Sequence, residues 1–486
     1  MFTLLHISDL HRSPDEPVDN STLLAALLND QDRCRSETPA IPSPDAIVVS
    51  GDIIQGAKLD QENWQLAIEE QYAAAEDFLC NLTAKLLDGD RSRMILVPGN
   101  HDVCWNTAYD AMQRVPDGDP ARKNIRRALD QPGSDLRWSW SKLDLFRITA
   151  PDKYARRLEA YRAFLQRFYF GVPLTSPIQP DRGFQLFDLD GGRIVVAALD
   201  SIYGNDCFAY SGGFAPGLVG SCYMELRERP VQPMLKMGVW HHSVQGPPRH
   251  DDYMDVSEVY SLAGHGFQLG LHGHQHVAAA SAYYIHRQQA QEMAVVSGGS
   301  LCAGARELPR GVNRQYNVVV IRDDYLGARL HVREMGDGGH FSRKMSAEFV
   351  EGFVELEWQP PLDPAGRVVD VDVANERSAV ESAEAALGRR DPDAALSILK
   401  KVRLPAGSYA RRLAADIANR IEDWKFLAEL LQQPTSQEES TLLVSALMNL
   451  GEFAAAKLAL AGAGLQPAMA TALNDRIEVM QKMRGK

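Results

Sequence analysis

Four short apolar runs, each ending in metal-ligating side chains, constrain this chain more than any other feature. Met94-Ile95-Leu96 leads into Val97-Pro98-Gly99-Asn100-His101-Asp102, and Leu4-Leu5-His6-Ile7-Ser8 leads into Asp9-Leu10-His11. Ile47-Val48-Val49-Ser50 leads into Gly51-Asp52, and Phe267-Gln268-Leu269-Gly270-Leu271 into His272-Gly273-His274-Gln275-His276. Each run reads as a short buried strand, and the glycines permit a tight turn directly after it. Open α/β sheets gather their functional side chains at the carboxyl ends of strands. Taken singly, the segments have ordinary explanations: a helix cap, a turn, a surface histidine tract. Those explanations leave the shared placement after strands unaccounted for.

The rest of the chain supplies the scaffold such sites require. Residues 63–87 carry Trp64, Leu66, Ala67, Ala73, Phe78, Leu79 and Leu82 at helical spacing, and a second helical patch lies around 23–28. Strand, helix, strand, helix at this spacing predicts a layered α/β core. Further strands are expected at 183–189 and 193–199, joined by the hairpin signal Asp190-Gly191-Gly192. Others are expected at 235–240, 294–296, 316–321 and 328–332, with a helix near 256–264. The strand at 235–240 runs into the pair His241-His242.

Residues 104–182 break this rhythm with helix-like, basic and aromatic segments. Between 121 and 170 there are 12 basic residues against 5 acidic ones, the reverse of a chain whose formal net charge is −13. Two readings stand side by side. One is a helical insertion with packed aromatics and solvated charges; the other is a cap that offers positive potential to phosphate and flat rings to bases. A Pro/Gly-rich linker is expected within 346–373, around Gln359–Gly366, with a catalytic domain at 1–345 before it. From 374 to 486 the chain turns to Ala/Leu-rich helices, where similar segments at Asp393, Trp424 and Phe453 recur about every 30 residues. That spacing predicts tetratricopeptide-like helical hairpins, suited to a protein partner or self-association, or else a plain stabilising bundle.

At 486 residues, two domains are expected. No apolar run approaches the length of a membrane helix, and the amino-terminal residues lack a basic-then-apolar leader. Six cysteines fall without CxxC spacing, which predicts a reducing, cytoplasmic setting and no thiolate metal site. The acidic balance argues against a generally basic nucleic-acid-coating surface.

In chain order, Asp9-Leu10-His11, Gly51-Asp52, Gly99-Asn100-His101-Asp102, His241 and Gly273-His274-Gln275-His276 resemble the calcineurin-like metallophosphoesterase family. That resemblance implies a two-sheet α/β/β/α sandwich and a pair of divalent ions (Mn, Fe or Zn). Asp9, His11 and His276 would bind one ion, Asn100, His241 and His274 the other, with Asp52 bridging. Two such ions bind an attacking hydroxide and clamp the phosphate oxygens. The family places Gly immediately before its first late histidine, which selects His274 and His276 over His272. It also places the ligand first in His-His pairs, which selects His241 and leaves His242 behind it or facing substrate. His101 would stabilise the transition state and protonate the leaving oxygen, with Asp102 orienting its ring. Arg12 either reaches a substrate phosphate or is a solvated loop residue, and His6, His250 and His265 are read as structural.

The implied activity is hydrolysis of a phosphate ester. A phosphodiester, possibly of a nucleotide, is favoured because Leu5–His11 has the opening style of the cyclic-nucleotide phosphodiesterase branch. Two alternatives are a metal-dependent DNA/RNA nuclease, as in the double-strand-break repair branch, and an interaction protein working through its helical carboxyl-terminal region.

Overall fold

Runs of Val, Ile and Leu with no polar alternation form the central strands, because both of their faces are covered. In chain order the strands are β1 (Phe2–Ile7), β2 (Ala46–Ser50), β3 (Met94–Val97), β4 (Met112–Arg114), β5 (Leu136–Ser139), β6 (Asp144–Ile148), β7 (Phe184–Leu189) and β8 (Ile194–Leu199). They continue with β9 (Leu235–Val239), β10 (Leu269–His272), β11 (Ala279–Ile285), β12 (Gln291–Ser297), β13 (Gln315–Ile321), β14 (Gly327–Met335), β15 (Phe341–Arg343) and β16 (Phe353–Glu357). The computed structural model describes residues 1–13, 18–129, 133–179, 181–246, 252–285, 291–304, 307–358, 379–380, 382–383, 386–387, 391–405, 408–463, 465 and 467–484. The linker signal at 359–366 and His250 lie outside the described residues. The chain divides into two compact units, Met1–Val369 and Asp370–Lys486.

The first unit is mixed α/β, with sheets of seven, six and three strands among the described residues. The seven-stranded sheet runs β15-β14-β13-β1-β2-β3, with β16 also paired to β14. Its β1, β2 and β3 are parallel, with Leu5 opposite Ile47 and Ile47 opposite Met94, so their carboxyl ends emerge together. The six-stranded sheet runs β11-β12-β10-β9-β8-β7, and β8, β9 and β10 are parallel. Two bundles of parallel strand ends therefore supply every candidate ligand. The helix Trp64–Leu86 buries Ile68, Tyr72, Ala75, Phe78, Leu79 and Leu82 on one face; of the residues in the sequence pattern Phe78, Leu79 and Leu82 lie there, whereas Leu66 is 55% exposed. Each of the larger side chains there stabilises the fold by about 1.5–3 kcal/mol. The pairing of β16 with Gly327–His331 carries the sheet past residue 345, where the sequence reading ended the catalytic domain.

The segment 104–182 departs from expectation in two ways. It is not purely helical: β4, β6 and β5 form a three-stranded antiparallel sheet in which Trp138 pairs with Leu145 and Arg137 with Phe146. Leu-Arg-Trp-Ser and Asp-Leu-Phe-Arg-Ile are β-prone runs too short for stable helices, and the basic residues in them obscured that signal. Nor do its cations form an unpaired field, although Arg114, Arg156 and Arg167 are each more than half exposed. Arg137 pairs with the fully buried Asp206 at 2.6 Å, Arg147 with Asp119 at 2.9 Å, Arg162 with Asp181 at 3.1 Å and Arg167 with Glu76 at 3.2 Å. Arg114 and Arg122 share Asp144. Carboxylates drawn from inside and outside the segment cancel much of its positive charge.

The second unit contains the helices Pro392–Leu399, Tyr409–Arg420, Trp424–Leu430, Gln437–Leu450, Phe453–Gly462 and Pro467–Arg484. Side chains of Asp391, Ser408, Asp423 and Ser436 cap four of them by accepting backbone N–H groups. Small residues dominate its core (Ala395, Ala410, Ala414, Ala418, Ala446, Ala456), which lets neighbouring helices approach closely. No helix among the described residues is long and apolar enough to cross a membrane.

Candidate metal centre

The loops that leave the strand ends turn sharply. Asp9 (φ 50°), His11 (43°), Asp52 (49°), His274 (76°) and His276 (58°) all adopt left-handed backbone. For residues with a Cβ this conformation costs about 1–2 kcal/mol each, so the surroundings must hold it in place. Interlocking hydrogen bonds do so: Asp9 N–H donates to Gly51 O (3.1 Å) and His11 N–H to Asp52 O (2.9 Å). Further, His101 N–H donates to Asp52 Oδ1 (2.8 Å) and His274 N–H to Asp9 Oδ2 (3.1 Å). Glycine is required where these loops cross. A Cβ on Gly99 would fall 2.1 Å from Asp52 Oδ1, and one on Gly273 would fall 1.8 Å from Ser8 Oγ and 2.6 Å from Asp9 Oδ2.

Main-chain carbonyls orient the imidazoles. Nδ1–H of His241 donates to Ser50 O (2.8 Å), that of His276 to Glu307 O (2.9 Å) and that of His101 to Gln55 O (2.7 Å). With Nδ1 committed as donor, Nε2 is the atom left for a ligand or a transferable proton. His274 is reversed: its Nδ1 points inward and its Nε2 lies 3.7 Å from Asp252.

The inward atoms form one continuous arc. His276 Nε2 lies 3.2 Å from both Asp9 Oδ1 and His11 Nε2, and His11 Nε2 lies 3.8 Å from Asp52 Oδ2. Asp52 Oδ2 is then 3.2 Å from His241 Nε2, which is 3.0 Å from Asn100 Oδ1 and 3.3 Å from His274 Nδ1. Asn100 Oδ1 lies 3.0 Å from His274 Nδ1. Three overlapping sets, Asp9/His11/His276, Asp9/Asp52/His241 and His11/Asp52/His101, each bring their donor atoms within 4.8 Å of one another. Donors about 2.0–2.2 Å from one ion lie roughly 3–3.5 Å from each other, so the spacing fits divalent cations. So does the chemistry: lone pairs of oxygen and imidazole nitrogen face one another here, which only shared protons or cations make favourable.

Electrostatics point the same way. Burial opposes the charge on Asp9, but His276 beside it holds its carboxyl well below the usual carboxylate range. Burial likewise opposes ionisation of Asp52, and His241 overcomes it. The partners shift reciprocally. Burial depresses both imidazoles, yet Asp52 raises His241 to about 9 and Asp9 raises His276 to about 9. His11, buried and next to His101, is pushed down to about 4. The raised His241 and His276 thus favour protons shared with Asp52 and Asp9, which a divalent ion would replace.

The structure thus brings Asp9, His11, Asp52, Asn100, His101, His241, His274 and His276 together, and it also separates the ambiguous histidines. His272 stacks on Trp240 (5.8 Å) and donates its Nδ1–H to Gly273 O (3.0 Å), and it joins none of the donor sets. His242, fully buried, bonds Ser201 Oγ at 3.0 Å. Asp102 does not orient the His101 ring. Its carboxylate instead accepts Gly99 N–H (2.8 Å), Ile53 N–H (3.2 Å) and Tyr72 O–H (3.0 Å), and a carboxylate engaged in this way faces the loop base. Arg12 is neither solvated nor near a substrate surface; it is 2% exposed and donates to Val18 O and Cys302 Sγ. Gln55, Ser50 and Glu307 had no signal in the sequence, because they act through carbonyl groups that every residue has.

Solved structures to which the chain shows similarity include a dimetal phosphatase from Danio rerio (12% identity, 74% of this chain and 99% of that chain covered, TM-score 0.34). PhoD matches at 12% identity over 74% of this chain and 72% of that one, with TM-score 0.39. GAP50 of Plasmodium, an anchor in the inner membrane complex, matches at 11% identity over 74% and 89%, with TM-score 0.36. No curated protein sequence matches the chain. A sequence profile of the calcineurin-like phosphoesterases, however, matches residues 2–278, the span that holds every candidate ligand. With a metal-ready donor cluster at the strand ends, the chain belongs to the calcineurin-like phosphoesterase family, and its activity is that of a metal-dependent phosphoester hydrolase.

Proposed function

We propose that the protein hydrolyses a phosphodiester, with two divalent ions seated on the arc of donors. Asp9, His11 and His276 would hold one, Asn100, His241 and His274 the other, and Asp52 would serve both. The observation that carries the two-ion part of this reading is the unbroken run of inward donor atoms through Asp52; the diester preference rests on the resemblance of Leu5–His11 to the opening of the cyclic-nucleotide phosphodiesterase branch. Bound there, such ions supply Lewis-acid activation of water and neutralise charge on the phosphate.

The chain's own residues do the remaining work. Asp52 Oδ1 accepts the backbone N–H of His101, so the main chain that carries the imidazole is fixed relative to that carboxylate. The bond from His101 Nδ1 to Gln55 O leaves Nε2 as the position from which a proton passes to the leaving oxygen. Asp102 and Tyr72 keep the loop that carries Asn100 and His101 rigid. The carboxyl-terminal helices are assigned to tetratricopeptide-like hairpins that serve self-association or a protein partner.

Hydrolysis of bis(p-nitrophenyl) phosphate tests the proposal, with p-nitrophenyl phosphate as the monoester control. Activity is expected to vanish on chelation and return with Mn²⁺. Asp52→Asn and His101→Ala are each expected to lower turnover by at least about 100-fold while the fold persists. An intact diester in the presence of every divalent ion tried would overturn it.

A further inference from the structure

The metal centre accounts for the buried histidines and carboxylates at the strand ends, but not for a buried cation elsewhere in the first unit. Arg157 is 8% exposed, and among the described residues no carboxylate pairs with it. Its Nε–H donates to Asn205 O (3.1 Å) and its Nη1–H to Tyr154 O (3.3 Å), while the guanidinium lies 4.2 Å over the Tyr154 ring. Carbonyl groups and a ring soften a buried charge without cancelling it, and folding around an uncancelled charge is costly.

Arg157 lines a cavity of about 850 Å³ whose wall holds none of the candidate metal ligands. Three more arginines stand on that wall, and they differ in what faces them. Arg137 is neutralised by the fully buried Asp206, and Arg182 by Glu225. Arg162 meets Asp181, whose side chain is 87% exposed and therefore well screened by water, and its Nε is buried without a partner. Two carboxylates besides Asp181 line the cavity. Asp135 is turned to Arg147 (3.5 Å), and Asp200 accepts Ile202 N–H (2.9 Å) without forming an ion pair. Burial raises the Asp200 carboxyl against the pull of Arg157 and Arg162, so it opposes an anion less than a solvated carboxylate would. That both guanidiniums act on Asp200 also places the three groups in one part of the cavity.

We propose that this cavity is a binding site for a small oxyanion, the phosphate or carboxylate group of a ligand held by Arg157 and Arg162. Guanidinium forks suit both groups, because their N–H donors match a pair of oxygens on one centre. The ligand supplies the counter-charge that Arg157 lacks within the chain. The site shares no residue with the metal centre, so it stands or falls apart from the hydrolase reading.

Isothermal titration calorimetry of the Mn²⁺-loaded full-length protein with inorganic phosphate tests the proposal. Two sites are expected, and stripping the metal on a chelating resin should remove one of them. Arg157→Met and Arg162→Met should each weaken the surviving site at least about tenfold, the loss of one charged hydrogen-bond donor group. Asp52→Asn should leave that site unchanged. Arg162 is 29% exposed, so Arg162→Met decides the matter if Arg157→Met fails to fold. Succinate distinguishes the two sources of the oxyanion. Binding of both ligands at the surviving site assigns it to oxyanions of either kind, binding of phosphate alone to phosphorylated ligands, and binding of succinate alone to carboxylates. A stripped protein that binds neither ligand, or a surviving site that neither arginine substitution weakens, would overturn the proposal. Hydrolysis of bis(p-nitrophenyl) phosphate, followed in the same proteins, reports on the hydrolase reading separately.

Discussion

Asp102 accepts three buried hydrogen bonds, two of them from the backbone of the loops that carry Asn100 and Asp52. Replacing it with Ala leaves those donors without an acceptor, at a cost of about 1–3 kcal/mol apiece. Asp102→Ala is therefore expected to destabilise by about 3 kcal/mol or more in urea unfolding and to weaken metal binding. Tyr72→Phe, which removes one bond, should cost about 1 kcal/mol. A ring-orienting Asp102 would instead give lost turnover with unchanged stability.

The raised imidazoles set a pH window. In the metal-free protein, His241 and His276 titrate at about 9, above their ordinary value of 6.5. Their stabilising protonation is complete below pH 6.5 and is lost as pH rises through 9. Imidazoles held neutral, such as His11 at about 4, add pH dependence only below 6.5. The melting temperature in EDTA should therefore fall by several degrees between pH 6.5 and 9. Metal affinity should rise across the same interval, with protons released on binding that calorimetry in two buffers can count. A melting temperature in EDTA that climbed over this range would contradict the proton-held cluster.

At the scale of elements, the centre depends on loops crossing within contact distance. On Gly273, just past β10, a Cβ would collide with Ser8 Oγ and Asp9 Oδ2, so Gly273→Ala must displace the β1 loop or the β10 loop. A loss of metal affinity of roughly 10–100-fold is expected from titration with Mn²⁺. This juxtaposition of glycine, carboxylate and imidazole was legible in the sequence because strand ends followed by ligands have a recognisable form. The carbonyls of Ser50, Gln55 and Glu307 were not legible, since a main-chain acceptor has no residue identity. The small sheet β4-β6-β5 was missed because its strands are three to five residues long and rich in arginine. The cancelled charge of that segment was also out of reach, because partners such as Asp206 and Glu76 lie outside the basic run.

For the whole molecule, each of the two units has its own hydrophobic core. Residues 1–369 are therefore expected to fold alone and keep metal-dependent hydrolysis. A cut at 345 should behave differently, because it removes β16 and with it the buried Leu356 and Trp358. Thermal unfolding of the 1–345 fragment should come about 5 °C or more below that of 1–369, or the fragment should be insoluble. Equal melting temperatures would show that β16 is dispensable.

The left-handed residues at the strand ends have a further consequence. Asp9, His11, Asp52, His274 and His276 occupy backbone shapes the chain would leave if released. A cation bound there would act as a second clasp beside the hydrogen bonds that hold these loops. Stripped of it, the tips of β1, β2 and β10 should be the first places where amide protons exchange and a protease cuts, well before the sheets beneath them open.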